Sequence, residues 1–363
     1  MKRILIAGGG TGGHLYPGIA VAAEAVKDGV EVLFAGTSQG IETRVVPREG
    51  FNLKLIDAGR FKGMGASQKI KTLLSIPVGV AQAVGVIREF RPDVVLGVGG
   101  YASFPAVLAA KLAGKPVILQ EQNAAPGLAN RWLGRIAGRI CLGFQAGEKF
   151  FPAGKCVLTG NPIRRGLLGV KREDAMRAMG LDEDRFTLLV TGGSGGASSI
   201  NRAVADALSG FSDMKDKIQF IHQTGQRDYE DVAAAYEKAG YAFRVMPYIY
   251  DMASAYACAD LVICRSGALT IAEVTALGKP AVLIPYPFAA DNHQEKNARE
   301  LEAAGAARVV LDREATGERL ADEIRKLLSA PEILIEMEER SMALGRPEAA
   351  ARVLEICREL AVA

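Results

Sequence analysis

The chain has 363 residues, 49% hydrophobic and 23% charged, with a formal net charge of +3. That length suits two domains at about 100–200 residues each, and the composition excludes a disordered or fibrous protein. The charge is unevenly divided: residues 1–160 hold 19 Lys and Arg against 10 Asp and Glu, and residues 161–363 hold 25 against 31, so the first part is expected to face an anionic partner, nucleic acid or lipid.

Residues 3–7 are a short apolar run that breaks into glycines, which predicts a first buried strand rather than a signal peptide. Gly8-Gly9-Gly10-Thr11-Gly12-Gly13-His14 follows and leads into a helix-compatible stretch. Its G-x-G-x-x-G spacing turns backbone N–H groups and a positive helix end toward an anion. The next strand, 30–35, ends in Gly36-Thr37-Ser38 without the acid that would hold a dinucleotide ribose, which argues against NAD and FAD. From Arg60 to Val78, the basic residues Arg60, Lys62, Lys69 and Lys71 flank Leu73, Leu74 and Ile76. Such a stretch either packs on the core or binds anionic lipid. The positive charge of residues 1–160 favours lipid, and the lack of basic-aromatic interleaving disfavours nucleic acid.

Strands are predicted at 94–98 and 117–120. The apolar run 94–110 is interrupted by Gly97, Gly99, Gly100, Ser103 and Pro105, so it does not read as a membrane span. Thr159-Gly160-Asn161-Pro162-Ile163-Arg164 punctuates the chain and marks the expected domain boundary. After it the opening pattern returns: a strand at 186–190 runs into Thr191-Gly192-Gly193-Ser194-Gly195-Gly196. Further strands are expected at 218–222, 261–264 and 281–284, the second of these followed by Arg265-Ser266-Gly267-Ala268. Continuous apolar strands alternating with helices predict parallel sheets covered on both faces. The repeated opening predicts two doubly wound α/β domains, with four glycine turns at strand carboxyl ends where a phosphate-bearing ligand would bind. None carries a Walker lysine.

His14, at the tip of the first loop, is either a helix-start packing residue or a general base kept neutral by the helix end. Glu273, two turns into the helix after Gly267, is either a solvated acid or an acceptor for two ribose hydroxyls. Arg265 is either an anion ligand or a structural counter-ion. Residues 291–297 cluster amides and carboxylates suited to sugar hydroxyls, and His222 reads as structural. Asp182-Glu183-Asp184 has the letters of a metal motif but precedes a strand, so no metal is expected. Five cysteines without a C-x-x-C pair and only three histidines argue against zinc.

Six motifs in one order carry a resemblance: Gly9–His14, Gly97–Tyr101, Glu121-Gln122-Asn123, Gly160–Arg164, Gly192–Gly196 and Cys264–Thr270. Together they resemble the MurG family of bacterial peptidoglycan N-acetylglucosaminyltransferases. The resemblance implies a GT-B architecture, two Rossmann-like domains facing across a cleft. Residues 1–160 would meet the acceptor and membrane, residues 161–346 would bind the donor, and residues 347–363 would pack back on the first domain. By motif, Thr11, Gly12, Gly13, Asn123, Arg164, Ser194, Ile249, Ala268, Leu269, Thr270, Ile271, Ala272, Glu273 and Gln294 would surround UDP-N-acetylglucosamine. Arg164 and Ser194 would meet the diphosphate, Glu273 the ribose, Gln294 the sugar and Ile249 the uracil.

The implied reaction is inverting transfer to the 4-hydroxyl of a lipid-linked muramoyl-pentapeptide, with His14 as base, Glu121 as fallback, and neither metal nor cofactor. The implied place is peripheral, on the cytoplasmic face of an anionic membrane, among cell-wall machinery. Gln120, His293 and Tyr250 depart from residues common in the family. A UDP-N-acetylglucosamine 2-epimerase and a non-catalytic nucleotide-sugar binder are the competing classes.

Overall fold

The computed structural model describes residues 1–58, 66–100 and 102–362, with no side-chain description for 66–75. Arg60 and Lys62 lie outside the described residues, as do the side chains of Lys69 and Lys71. The chain divides into two compact units: Met1–Arg164 together with Arg346–Ala363, and Arg165–Gly345.

In unit 1, β1 (Arg3–Gly8), β2 (Glu31–Gly36), β3 (Asn52–Leu55), β4 (Val94–Gly99), β5 (Val117–Glu121), β6 (Arg139–Leu142) and β7 (Cys156–Leu158) form a parallel sheet ordered β3-β2-β1-β4-β5-β6-β7. Its helices are α1 (Gly12–Lys27), α2 (Glu42–Arg48), α3 (Ala66–Phe90), α4 (Ser103–Leu112) and α5 (Leu128–Leu133). Successive strand residues point to opposite faces. Ile4 and Ile6 therefore pack with Leu15 and Ile19 of α1, while Leu5 and Ala7 pack with Ile87 of α3 and Ala106 of α4. Both faces are apolar because both are covered.

Unit 2 contains α6 (Arg172–Met179), β8 (Phe186–Thr191), α7 (Ser198–Ala207), β9 (Ile218–Gln223), α8 (Tyr229–Ala239), β10 (Ala242–Met246), α9 (Met252–Cys258), β11 (Leu261–Cys264), α10 (Ala268–Ala276), β12 (Ala281–Leu283), α11 (His293–Ala303), β13 (Ala307–Val309), α12 (Gly317–Leu328) and α13 (Pro331–Leu344). Its parallel sheet is ordered β10-β9-β8-β11-β12-β13. Leu188, Val190, Phe220 and Ile263 meet Ile200 and Val204 of α7 and Leu320 and Ile324 of α12 in its core. The last helix, α14 (Ala349–Val362), belongs to unit 1, where Val353, Leu354 and Cys357 join the core formed around α1. An Arg358–Asp28 ion pair at 2.6 Å lies at its rim.

Each sheet reverses its winding once, between β1 and β4 in unit 1 and between β8 and β11 in unit 2. Ligands of open α/β sheets bind outside the carboxyl ends of the strands at such a reversal. The glycine loops after β1, β4, β8 and β11 flank these two points. Strands β3, β6, β7, β10 and β13 were not among the expected ones. They are three to five residues long, and β3, β7 and β10 are only partly buried, so their apolar signal is weak.

Candidate active site

At the unit 1 reversal, the loop after β1 lies on the loop after β4. The Gly9 N–H donates to the Gly99 carbonyl at 3.3 Å, and a Cβ on Gly100 would come within 2.2 Å of the Gly9 carbonyl oxygen. Beneath them lies Glu42 of α2, fully buried. One of its oxygens accepts from the Gly10 N–H at 2.7 Å, the other from the N–H and hydroxyl of Thr37, each at 2.8 Å. Side chains at Gly9, Gly36 or Gly40 would collide with this carboxylate. Glu42 thus fixes the loop that starts α1, whose first-turn N–H groups at Gly12 and Gly13 have no partner within the helix.

His14 sits in that first turn, half-buried. Its Nδ1 lies 3.0 Å from Gln122 Oε1, while Gln122 Nε2 donates to the Val98 carbonyl at 3.0 Å. With the amide oriented by Val98, the Gln122 oxygen can only accept, so Nδ1 carries the proton and Nε2 is the basic nitrogen. Burial lowers the His14 pKa below the ordinary imidazole value, partly offset by the contacts to Gln122 and the Val98 carbonyl. The imidazole is therefore neutral at physiological pH, as a base must be.

Glu121 ends β5 and is buried. Oε1 accepts from the Asn123 N–H at 2.9 Å and from its side chain at 3.4 Å, and Oε2 accepts from Asn130 Nδ2 at 2.9 Å. Burial raises its pKa, against the hydrogen bonds from Asn123, Asn130 and Gly127. With both oxygens engaged, Glu121 has the geometry of a brace for the loop carrying Asn123 more than that of an open base. Asn161 Nδ2 donates to the Gln122 carbonyl at 2.9 Å and ties the end of unit 1 to the same strand end. The Arg164 guanidinium stands 5.1 Å from the centre of the Tyr16 ring.

At the unit 2 reversal, Ser194 is exposed on the loop between β8 and α7. Residues 268–273 open α10, and the Glu273 carboxylate is buried, with Oε2 accepting from the Tyr256 hydroxyl at 3.1 Å. The Ser266 hydroxyl donates to the Gln294 carbonyl at 2.8 Å, and Gln294 Oε1 accepts from the Tyr286 N–H at 3.0 Å. Ile249 is buried after β10. These residues share the carboxyl end of one sheet.

Arg265 belongs to a different arrangement. It bonds Asp312 at 2.5 Å, Ser199 Oγ at 2.9 Å and the carbonyls of Ile284 and Pro285 at 3.0 and 3.1 Å. Of its two sequence readings the geometry supports the counter-ion, because the guanidinium is paired with Asp312 and three further protein acceptors. His222 is also structural: it bridges Asn201 and Tyr236 at 3.1 Å, and burial pushes its pKa down to about 3. Asp182 accepts from the Asp184 N–H and from Arg185 in the turn before β8, at the opposite end of the sheet from the glycine loops. Glu42, Gln122, Tyr256 and Gln223 were missed by the motif reading. Glu42 and Gln122 had no periodic signal, although Gln122 sits inside a quoted motif.

Two parallel-sheet α/β units, each with glycine loops and helix N-termini at its switch point, have the architecture of the GT-B class of nucleotide-sugar enzymes. Residues 4–142 match the glycosyltransferase family 28 N-terminal domain and residues 187–353 its C-terminal domain. The UDP-N-acetylglucosamine–N-acetylmuramyl-(pentapeptide) pyrophosphoryl-undecaprenol N-acetylglucosamine transferase of Thermodesulfovibrio yellowstonii is 47% identical over 99% of this chain and 98% of its own. The enzyme of the same name from Syntrophus aciditrophicus is 48% identical over 98% of each. The crystal structure of Acinetobacter baumannii MurG superposes with a TM-score of 0.79 at 31% identity, covering 99% of this chain and 100% of that one. A Neisseria meningitidis UDP-GlcNAc 2-epimerase shares the fold at 16% identity, with a TM-score of 0.70 over 99% of this chain and 100% of its own. The chain belongs to glycosyltransferase family 28 and, within it, to the MurG family.

Proposed function

We infer that this chain transfers N-acetylglucosamine from UDP-N-acetylglucosamine to the muramoyl 4-hydroxyl of undecaprenyl-diphospho-N-acetylmuramoyl-pentapeptide. The observation that carries this reading is full-length similarity, near 47% identity, to enzymes bearing that name. The site chemistry agrees with it.

The donor sugar is α-linked and the product β-1,4, so the transfer inverts in one in-line attack. His14 Nε2 takes the hydroxyl proton, while Nδ1–H is held by Gln122. The departing UDP acquires charge on its diphosphate. The N-termini of α7 and α10 and the Arg164 guanidinium supply positive potential for it without a metal. Ser194 meets the diphosphate, and Glu273 accepts the ribose hydroxyls, with its carboxylate oriented by Tyr256. Ile249 lines the uracil and Gln294 meets the sugar. By their motifs Thr11, Gly12, Gly13 and Asn123 of unit 1 are also substrate contacts, and Glu121 holds Asn123 in place.

The lipid-linked acceptor calls for a peripheral site on the cytoplasmic face of an anionic membrane. On α5, Leu128 and Trp132 are 71% and 65% exposed, one helical turn apart, with Arg131 and Arg135 beside them. Val78 of α3 is also exposed. This combination of apolar side chains and basic neighbours supports reversible lipid binding. No helix among the described residues is long and apolar enough to cross a membrane.

The test is transfer of radiolabelled N-acetylglucosamine to a short-chain lipid-linked muramoyl-pentapeptide in EDTA. Acceptor-dependent product is expected. Conversion of free donor to its 2-epimer without acceptor would replace this reading with the epimerase one.

A further inference from the structure

Gln223 is the last residue of β9 and is 4% exposed. Its carboxamide spans two loops far apart in sequence. Nε2 donates to the Gly193 carbonyl at 2.8 Å and to Thr191 Oγ1 at 3.3 Å, and Oε1 accepts from the Ile249 N–H at 2.8 Å. Thr191 Oγ1 also accepts from the Gly193 N–H at 3.2 Å, so both backbone polar groups of Gly193 are held. The two residues after Gln223 close the same loop from the side. A Cβ on Gly196 would lie 1.9 Å from the Thr224 carbonyl oxygen, and one on Gly225 would lie 2.3 Å from that of Gly195. The Gln223 side chain thus bonds the glycine loop directly to the Ile249 backbone.

Resting on the donor reading above, we propose that Gln223 is a positioning residue for the nucleotide donor. It sets the spacing between the loop that takes the diphosphate and the backbone that lines the base. It acts through Gly193 and Ile249 and does not itself touch the reacting atoms. The position demands a carboxamide, because one end must donate to a carbonyl while the other accepts from an N–H. A glutamate can accept from Ile249 but donates to Gly193 only when protonated, and a methionine fills the volume and does neither.

The experiment measures steady-state kinetics and calorimetric UDP binding for the wild type, Gln223→Met and Gln223→Glu, with thermal unfolding of each. Losing these hydrogen bonds in Gln223→Met should raise the donor KM and the UDP Kd by about tenfold. The acceptor KM, and kcat at saturating donor, should stay near wild type. Gln223→Glu should bind UDP weakly at pH 8 and regain affinity on acidification toward pH 5.5, as its carboxyl takes up a proton, with no such gain in the wild type. An unchanged donor KM in Gln223→Met, or parallel loss in both KM values and kcat, overturns the proposal. If Gln223→Met does not fold, a pH-independent UDP affinity in Gln223→Glu overturns it alone. A wild type that binds neither UDP nor UDP-N-acetylglucosamine would instead bring down the donor reading on which the proposal rests.

Discussion

The Gln122 amide is locked by the Val98 carbonyl, and that lock decides which nitrogen of His14 is basic. Replacing His14 with Ala should lower kcat by about 10²–10⁴-fold, the usual contribution of a positioned base, with UDP affinity retained. Turnover at the wild-type rate would remove His14 from the mechanism. Because burial depresses the His14 pKa, the acid limb of kcat/KM should have its midpoint below 6.5. The sign follows from the base being active only when neutral: a lower pKa extends activity to lower pH. A midpoint above 6.5 would contradict the assigned environment. Arg265 makes the opposite case. Its partner Asp312 is partly buried and would keep only the Ser199 hydroxyl, so Arg265→Met should destabilise the fold by about 1–3 kcal/mol in urea titration. UDP affinity should be little changed. A stable variant that has lost UDP would restore the anion-ligand role.

Among the elements, long central strands and the loops leaving them were legible in the sequence, and edges were not. β1, β4, β5 and β8 are buried along nearly their whole length and read as continuous apolar runs. β3 and β10 expose much of their surface, so packing rather than composition makes them strands. The same holds for the sites. Glycine spacing marked the loops, but Glu42 and Gln223 matter through contacts 32 and 30 residues away, which no local pattern encodes. Two glycines of one loop separate conformational from steric demands. Gly193 has φ +88° with open space where a Cβ would be, whereas Gly196 has φ +74° and the Thr224 carbonyl at 1.9 Å. Gly193→Ala should cost only about 1–2 kcal/mol, the left-handed penalty. Gly196→Ala must also displace backbone and should weaken UDP binding and lower Tm further. Equal effects in both, read by calorimetry and thermal unfolding, would show that the close approach is unimportant.

On the scale of the whole molecule, excess positive charge before residue 160 and the exposed Leu128 and Trp132 belong to the same unit. Leu128→Ser with Trp132→Ser should reduce sedimentation with anionic vesicles while leaving UDP binding intact, and undiminished sedimentation would exclude α5 from the lipid-facing surface. The return of α14 to unit 1 also imposes an order on synthesis. Unit 2 is one uninterrupted segment, Arg165–Gly345, and is complete in sequence before the closing helix of unit 1 has been translated. At about 5–20 residues per second, the core around α1 must wait roughly ten to forty seconds on the ribosome for Val353, Leu354 and Cys357. A released chain truncated after Gly345 should therefore expose the unit 1 core to protease while unit 2 resists, so that the last part of the protein to be made governs when the first part is finished.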